Sequence, residues 1–388
     1  MARRDKMRIG LNLLHVMPEI GGGWNYISNL VGALGQYDPL NTYVAFVTRR
    51  SRCLLPEASN FEEFLTNLDP QIRVRRILYE NSILPSLARK KGVECLHWFS
   101  GTLGFLSPVP NVVTIYDMQP FNNLANVRPV KRAYLSFMSK RAIRKADLLL
   151  PISESTAGEL RDAFDVDPRR MVTIPSIIPA RWNPVSMEER LRVRAEYGLP
   201  DRFWLYVAHF YPHKNHVRLL EALREMKDRS LAPWPLVLRG DPHGSEKEVH
   251  EAVRRYDLED DVILLPRLEE TDMRALYSAA SALVFPSLYE GSGMPVMEAL
   301  ACGCPVVASD IPPVRENAGD AAVYFDPEKV ASIVSALMEF QGRSGQARPA
   351  LIENGLAKAL RFRPELIVGR LVEAYRSAIR GRVEKVKP

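Results

Sequence analysis

Two successive series of short apolar segments, each alternating with amphipathic ones, narrow the possible fold of this 388-residue chain more than any other feature. Short apolar runs separated by helical patterns predict βαβ units and a mainly parallel sheet with both faces covered. In the first series the strand candidates are 7–14, 42–48, 93–97, 112–116 and 148–152. The second series has candidates at 203–207, 236–239, 262–264, 282–285 and 305–308. Between them lies Ile174-Pro-Ser-Ile-Ile-Pro-Ala-Arg-Trp-Asn-Pro184, whose prolines put a hinge at about 175–200. A chain this long exceeds one ordinary core. The expectation is two α/β domains, 1–180 and 181–365, with a helical segment at 366–388 packing back towards the first. Two such domains facing each other would present a polar substrate to the carboxyl edges of both sheets.

Composition removes several other classes. Hydrophobic residues at 46% and charged residues at 25% describe a globular chain. The net charge of +6 suits phosphorylated substrates or an anionic surface. Neither a zinc-finger spacing nor aromatic residues interleaved with basic ones is present, so no nucleic-acid partner is expected. Cys53, Cys95, Cys302 and Cys304 give neither a metal motif nor a disulfide framework, which favours a reducing compartment. The basic-then-apolar start lacks a cleavage pattern, and no apolar stretch reaches the ~18 residues of a spanning helix. The expected location is cytoplasmic.

The densest chemical pattern is Phe285-Pro-Ser-Leu-Tyr-Glu-Gly-Ser-Gly-Met-Pro-Val-Met-Glu298. It follows a strand, tightens through Gly291 and Gly293, and enters a helix near Pro295. Glycines allow a ligand to approach the main chain, and the free N–H groups of the turn can meet its oxygens. Glu290 and Glu298 can accept hydrogen bonds from sugar or ribose hydroxyls; the alternative makes them solvated carboxylates favoured by the helix dipole. Near the start, 7–14 leads through Glu19-Ile-Gly-Gly-Gly-Trp24 into an amphipathic segment. That strand–glycine–helix order suits a nucleotide-binding βα unit but is not the G-x-G-x-x-G nicotinamide signature.

The Glu-x7-Glu spacing of Glu290 and Glu298, with the following Ala-Cys-Gly-Cys-Pro-Val-Val-Ala-Ser-Asp310, resembles the family-4 retaining glycosyltransferases (glycosyl transferases group 1). Tyr206-Val-Ala-His-Phe-Tyr-Pro-His-Lys-Asn215, Ala279–Ser287 and Glu316–Pro327 carry the same resemblance, as do Gly21–Gly23, Thr114–Asp117 and Ile152–Glu154 more weakly. The resemblance implies a GT-B fold of two Rossmann-like domains, and hexosyl transfer with retained anomeric configuration. The donor would be a nucleotide-diphosphate sugar, GDP-mannose first and other GDP- or UDP-sugars open. The acceptor hydroxyl would belong to a glycan, a lipid-linked sugar or a small molecule. No cofactor or metal is implied, and GDP or UDP is the product.

Carried over by position, Lys214 meets the donor diphosphate, Glu298 its ribose and Glu290 the transferred sugar. Gly291, Ser292, Gly293 and Met294 supply main-chain N–H groups, and Gly21, Gly22 and Gly23 do so from the other domain. Asp117 contacts sugar or acceptor hydroxyls, or caps the loop after it. Three positions depart from the family: His209 stands where many relatives have arginine, Tyr116 where they have histidine, and Ser292 where an aromatic is common. Arg239 and Arg267 are candidates to restore the missing phosphate charge. His209, His213 and His216 cluster in sequence, but no acidic ligand motif accompanies them. A nucleotide-sugar epimerase and a non-catalytic carbohydrate-binding protein remain as alternatives. Residues 131–145 carry six basic side chains and no acidic one. Tyr134, Leu135, Met138, Ala142 and Ile143 line one side of the segment, which fits either peripheral contact with an anionic membrane or packing into the first domain.

Overall fold

A computed structural model describes residues 6–18, 21–122, 129–242, 244–342 and 347–386. Glu19 and Ile20 of the glycine loop, and the side chains of Lys131 and Arg132, lie outside the described residues. The chain divides into two units, Met1–Ile177 with Pro364–Pro388, and Ile178–Arg363.

The first unit holds β1 (Arg8–Asn12), β2 (Thr42–Thr48), β3 (Phe61–Thr66), β4 (Cys95–Trp98), β5 (Asn111–Ile115) and β6 (Leu148–Pro151). They form one parallel sheet in the order β3-β2-β1-β4-β5-β6. Every residue of β2 and β5 is buried, as expected where both faces are covered. In β1, a Cβ on Gly10 would stand 2.9 Å from both Leu96 Cδ1 and Val93 Cγ1, so this strand packs too closely for a side chain there. β3 is absent from the apolar strand candidates because it is a charged edge strand. Arg8 of β1 donates to both oxygens of Glu62 on β3, at 2.8 and 2.9 Å.

The helix Pro364–Val386 completes this unit's core with Ile367, Leu371 and Tyr375. His97 of β4 is fully buried, with Nδ1 2.7 Å from the Tyr375 hydroxyl and Nε2 2.8 Å from Thr114 Oγ1. Burial lowers its pKa to about 3, so the ring stays neutral, one nitrogen donating and the other accepting. The helix Pro129–Lys145 buries Met138, Ala142 and Ile143, so much of its apolar side is internal. Among the described residues no helix is long and apolar enough to cross a membrane.

The second unit repeats the plan with β7 (Trp204–Val207), β8 (Leu236–Arg239), β9 (Val262–Leu265), β10 (Ala282–Phe285), β11 (Val306–Ser309) and β12 (Ala322–Phe325). Their order is β12-β11-β10-β7-β8-β9, again parallel. The strand order reverses between β1 and β4 in one sheet and between β7 and β10 in the other. At such reversals the loops leaving the carboxyl ends diverge to opposite faces and open a crevice where ligands bind.

Tyr375→Phe leaves one His97 nitrogen without its buried partner and should cost about 1–3 kcal/mol of stability. Urea unfolding followed by tryptophan fluorescence checks this; an unchanged midpoint would show that the contact carries no net energy.

Candidate functional site

At the β7/β10 reversal the two diverging loops carry Lys214 and Glu290. After β7 the chain makes a short helical turn, Pro212–Lys214, and Asn215 then adopts a left-handed conformation, φ 61° and ψ 32°. Asparagine tolerates this conformation better than most residues. Its amide donates to Pro286 O at 3.1 Å and Pro327 O at 2.9 Å, binding the loop after β7 to those after β10 and β12. Leu288 N donates to His213 O at 2.8 Å, and the Tyr206 hydroxyl donates to Lys214 O at 2.6 Å. These bonds fix the lysine backbone on both sides.

Lys214 Nζ donates to Glu290 Oε1 at 2.7 Å, with 15% and 9% of the two side chains exposed. Each largely desolvated charge is therefore matched by the other. A donor phosphate and sugar hydroxyls offer the same complementary chemistry to this pair. Gly293 follows in a left-handed conformation, φ 75°, at the head of the helix Met294–Ala301. Asn317 Nδ2 donates to Ser292 O, and Ser292 Oγ turns towards Met297 Sδ at 3.6 Å. Ser292 is buried and shaped into this turn.

One turn into that helix Glu298 is half-buried, and the Tyr277 hydroxyl donates to its Oε2 at 2.9 Å. Desolvation raises its pKa to about 7, against the lowering effect of the Tyr277 bond. His209 Nδ1 accepts the Asp241 N–H at 3.1 Å, which needs an unprotonated Nδ1 and hence a neutral ring. Arg239 Nη1 lies 3.1 Å from Asp241 Oδ1, so its charge is already matched within the unit, while Arg267 is exposed. The three histidines do not converge. His216 packs between Tyr206 and Phe210, ring centroids at 4.6 and 4.9 Å, and His213 stacks on Tyr211. Among the described residues no three side chains are grouped as metal ligands.

In the first unit Gly21–Gly23 form the first turn of the helix Gly21–Tyr37. A Cβ on Gly22 or Gly23 would meet nothing within 4 Å, so packing does not require glycine at either position. Asp117 Oδ1 accepts Gln119 N at 2.9 Å, the capping bond of the next turn. Tyr116 packs edge-on against Tyr26, and its buried hydroxyl has no hydrogen-bond partner among the described residues. Burial holds that phenol well above its ordinary pKa, so it stays protonated.

Sequence reasoning missed the polar cluster at the β1/β4 reversal. Asn12, the last residue of β1, donates to Glu80 Oε1 at 3.1 Å, and Arg76 Nε lies 3.8 Å from Glu80 Oε2. Nearby, His15 has a buried Nδ1 with no hydrogen-bond partner among the described residues, and burial and Arg76 lower its pKa to about 3. The Arg76–Glu80 spacing on one helix was visible in the sequence, but its approach to Asn12 was not.

Both units have known counterparts. Residues 20–181 match the family description Glycosyltransferase Family 4, and residues 189–357 match Glycosyl transferases group 1. O-antigen chain mannosyltransferase B of Escherichia coli is 29% identical over 267 residues, 68% of this chain and 70% of that protein. D-inositol 3-phosphate glycosyltransferase of Salinispora arenicola is 29% identical over 308 residues, 73% of this chain and 68% of that one. Among solved structures, sucrose-phosphate synthase from Thermosynechococcus elongatus superposes with a TM-score of 0.79 at 20% identity, over 97% of this chain and 100% of that one. HepE of Anabaena, solved with UDP and glucose, gives 0.73 at 18%, over 96% and 100%. Fold and sequence together define a glycosyltransferase of the GT-B class. The chain belongs to glycosyltransferase family 4, which replaces the epimerase and non-catalytic alternatives.

Removing the Tyr277 hydroxyl takes away a bond that favours the charged form of Glu298. Tyr277→Phe should therefore raise the Glu298 pKa further above 7, read by carbon NMR of labelled glutamate in the ligand-free protein. A pKa that stays put or falls would contradict the bond as the groups are placed.

Proposed function

We propose that this glycosyltransferase moves a hexosyl group, mannose first, from a nucleotide-diphosphate sugar to an acceptor hydroxyl, retaining configuration and using no metal. The Lys214–Glu290 pair at the β7/β10 reversal is the observation that carries this reading. The mannosyltransferase names of relatives such as the O-antigen enzyme favour mannose, and with it GDP-mannose as donor.

Lys214 stabilises the negative charge that grows on the diphosphate as the bond from the anomeric carbon to its oxygen breaks. Main-chain N–H groups of Gly291, Ser292, Gly293 and Met294 supplement it, and His209 presents a neutral ring to the same end of the donor. Glu290 accepts hydrogen bonds from hydroxyls of the transferred sugar. The acceptor oxygen bonds to the anomeric carbon on the face the diphosphate leaves, and its proton passes to the departing phosphate oxygen. No covalent enzyme intermediate is required. In the first unit, Gly21–Gly23 offer main-chain donors and Asp117 accepts from acceptor hydroxyls. Glu298 accepts from the donor ribose, most strongly when ionised.

Lys214→Ala should lower the single-turnover rate by about 10²-fold, with Glu290→Gln added in a second variant to remove the stranded carboxylate. Glu298→Gln should weaken nucleotide binding by roughly 1–3 kcal/mol above pH 8. In the wild type, nucleotide affinity should fall as pH drops through about 7, because protonation removes the charged acceptor, and Glu298→Gln should flatten that dependence. Near-normal rates and affinities in all three folded variants would place the donor elsewhere. Separately, transfer should survive treatment with a chelator, and NMR of the new linkage should show the donor's anomeric configuration. A strict divalent-ion requirement or an inverted product would overturn the mechanism.

A further inference from the structure

Gly293 is buried, and its N–H has no hydrogen-bond partner among the described residues. Buried main-chain donors are almost always paired, so an unpaired one at the head of a helix marks a place for a ligand atom. The direction of this N–H is fixed by the carbonyl at the other end of the same peptide unit. No described peptide bond is cis, and a trans peptide sends its C=O and N–H to opposite sides. Asn317 Nδ2 holds the Ser292 carbonyl. The Gly293 N–H therefore faces away from Asn317.

Asn317 is itself fixed. It is 4% exposed and stands at the end of the helix Pro312–Ala318, which Gly319 closes at φ 53°. The last carbonyls of a helix have no partner within it, and a cation is favoured beside them. Arg361 Nη2 donates to two of these carbonyls, Glu316 O and Asn317 O, the second at 3.1 Å. The Arg361 guanidinium also lies 4.7 Å from the centre of the Phe362 ring. Arg361, Asn317 and Ser292 thus form one chain of contacts that ends at the turn before the helix Met294–Ala301.

We propose that Asn317 is a positioning residue of the donor site. Its amide turns the Ser292–Gly293 peptide so that the Gly293 N–H meets an oxygen of the donor diphosphate. With the peptide reversed, the Ser292 carbonyl would face the phosphate, oxygen against oxygen, and two N–H donors would face each other at Asn317. Arg361 holds the helix end from which Asn317 reaches. The inference rests on the assignment of this turn to the donor.

The test labels the full chain with carbonyl-carbon-13 serine and nitrogen-15 glycine, which isolates the amides of its three Ser–Gly pairs. Ser100→Ala and Ser344→Ala assign two of them, leaving Gly293. GDP or UDP, whichever binds the wild type, should move the Gly293 amide to lower field. Asn317→Asp keeps the shape but sets an acceptor against the Ser292 carbonyl. It should abolish that shift and weaken nucleotide binding by about tenfold. Arg361→Met, at an exposed position, should weaken binding in the same direction, and Arg361→Lys should restore it. Melting temperatures identify the variants that fold. A Gly293 amide that ignores the nucleotide, while Glu298→Gln weakens binding, overturns the inference and leaves the donor reading standing. Failure of both nucleotides to bind, or an unmoved amide with Glu298→Gln also silent, removes both. Shift and affinity unchanged in folded Asn317→Asp, or in Arg361→Met if that variant does not fold, overturn the inference alone.

Discussion

The side-chain amide of Asn215 is the small constraint on which the loops of the second unit depend. Its two donors reach Pro286 O and Pro327 O, so one residue ties together loops leaving three strands of the second sheet. Asn215 makes these bonds from a left-handed backbone, which ends the Pro212–Lys214 turn and starts the next helix. Lys214 therefore projects from a point fixed on both sides, within reach of Glu290. The side chain itself is held by its bond to Glu290 Oε1.

The two sheets were legible in the sequence because their central strands are short apolar runs with few competing patterns. The runs at 42–48 and 236–239 coincide with β2 and β8, since parallel strands covered on both faces have no polar side to disguise them. β3 was not legible, because Phe61–Thr66 places two glutamates on an exposed edge. Glu290 and Lys214 were legible through motif resemblance, but their mutual bond across 76 residues was not. The cluster of Asn12, Arg76 and Glu80 was hidden for the same reason, since sequence separation conceals which carboxylates share a strand end.

The departures from the family pattern are each tied into local contacts. His209 has its Nδ1 lone pair taken by the Asp241 amide, so a charged imidazole cannot replace an arginine while that bond persists. Arg239 is committed to the same aspartate. Two further cations stand in this part of the unit: Lys214, paired with Glu290, and Arg218, which donates to Asn215 Oδ1 and Pro327 O. Tyr116 retains its proton within an aromatic contact to Tyr26, a packing role that an imidazole would fill less completely.

The assignment of Pro364–Pro388 to the first unit makes the second unit an insertion within it. The buried His97–Tyr375 contact cannot form until nearly the whole chain has been synthesised. On the ribosome, residues 178–363 have all their sheet and core partners in hand while the earlier unit still lacks a helix. The usual N-terminus-first order of domain completion is thereby inverted. During that interval the core positions that await Ile367, Leu371 and Tyr375 remain uncovered.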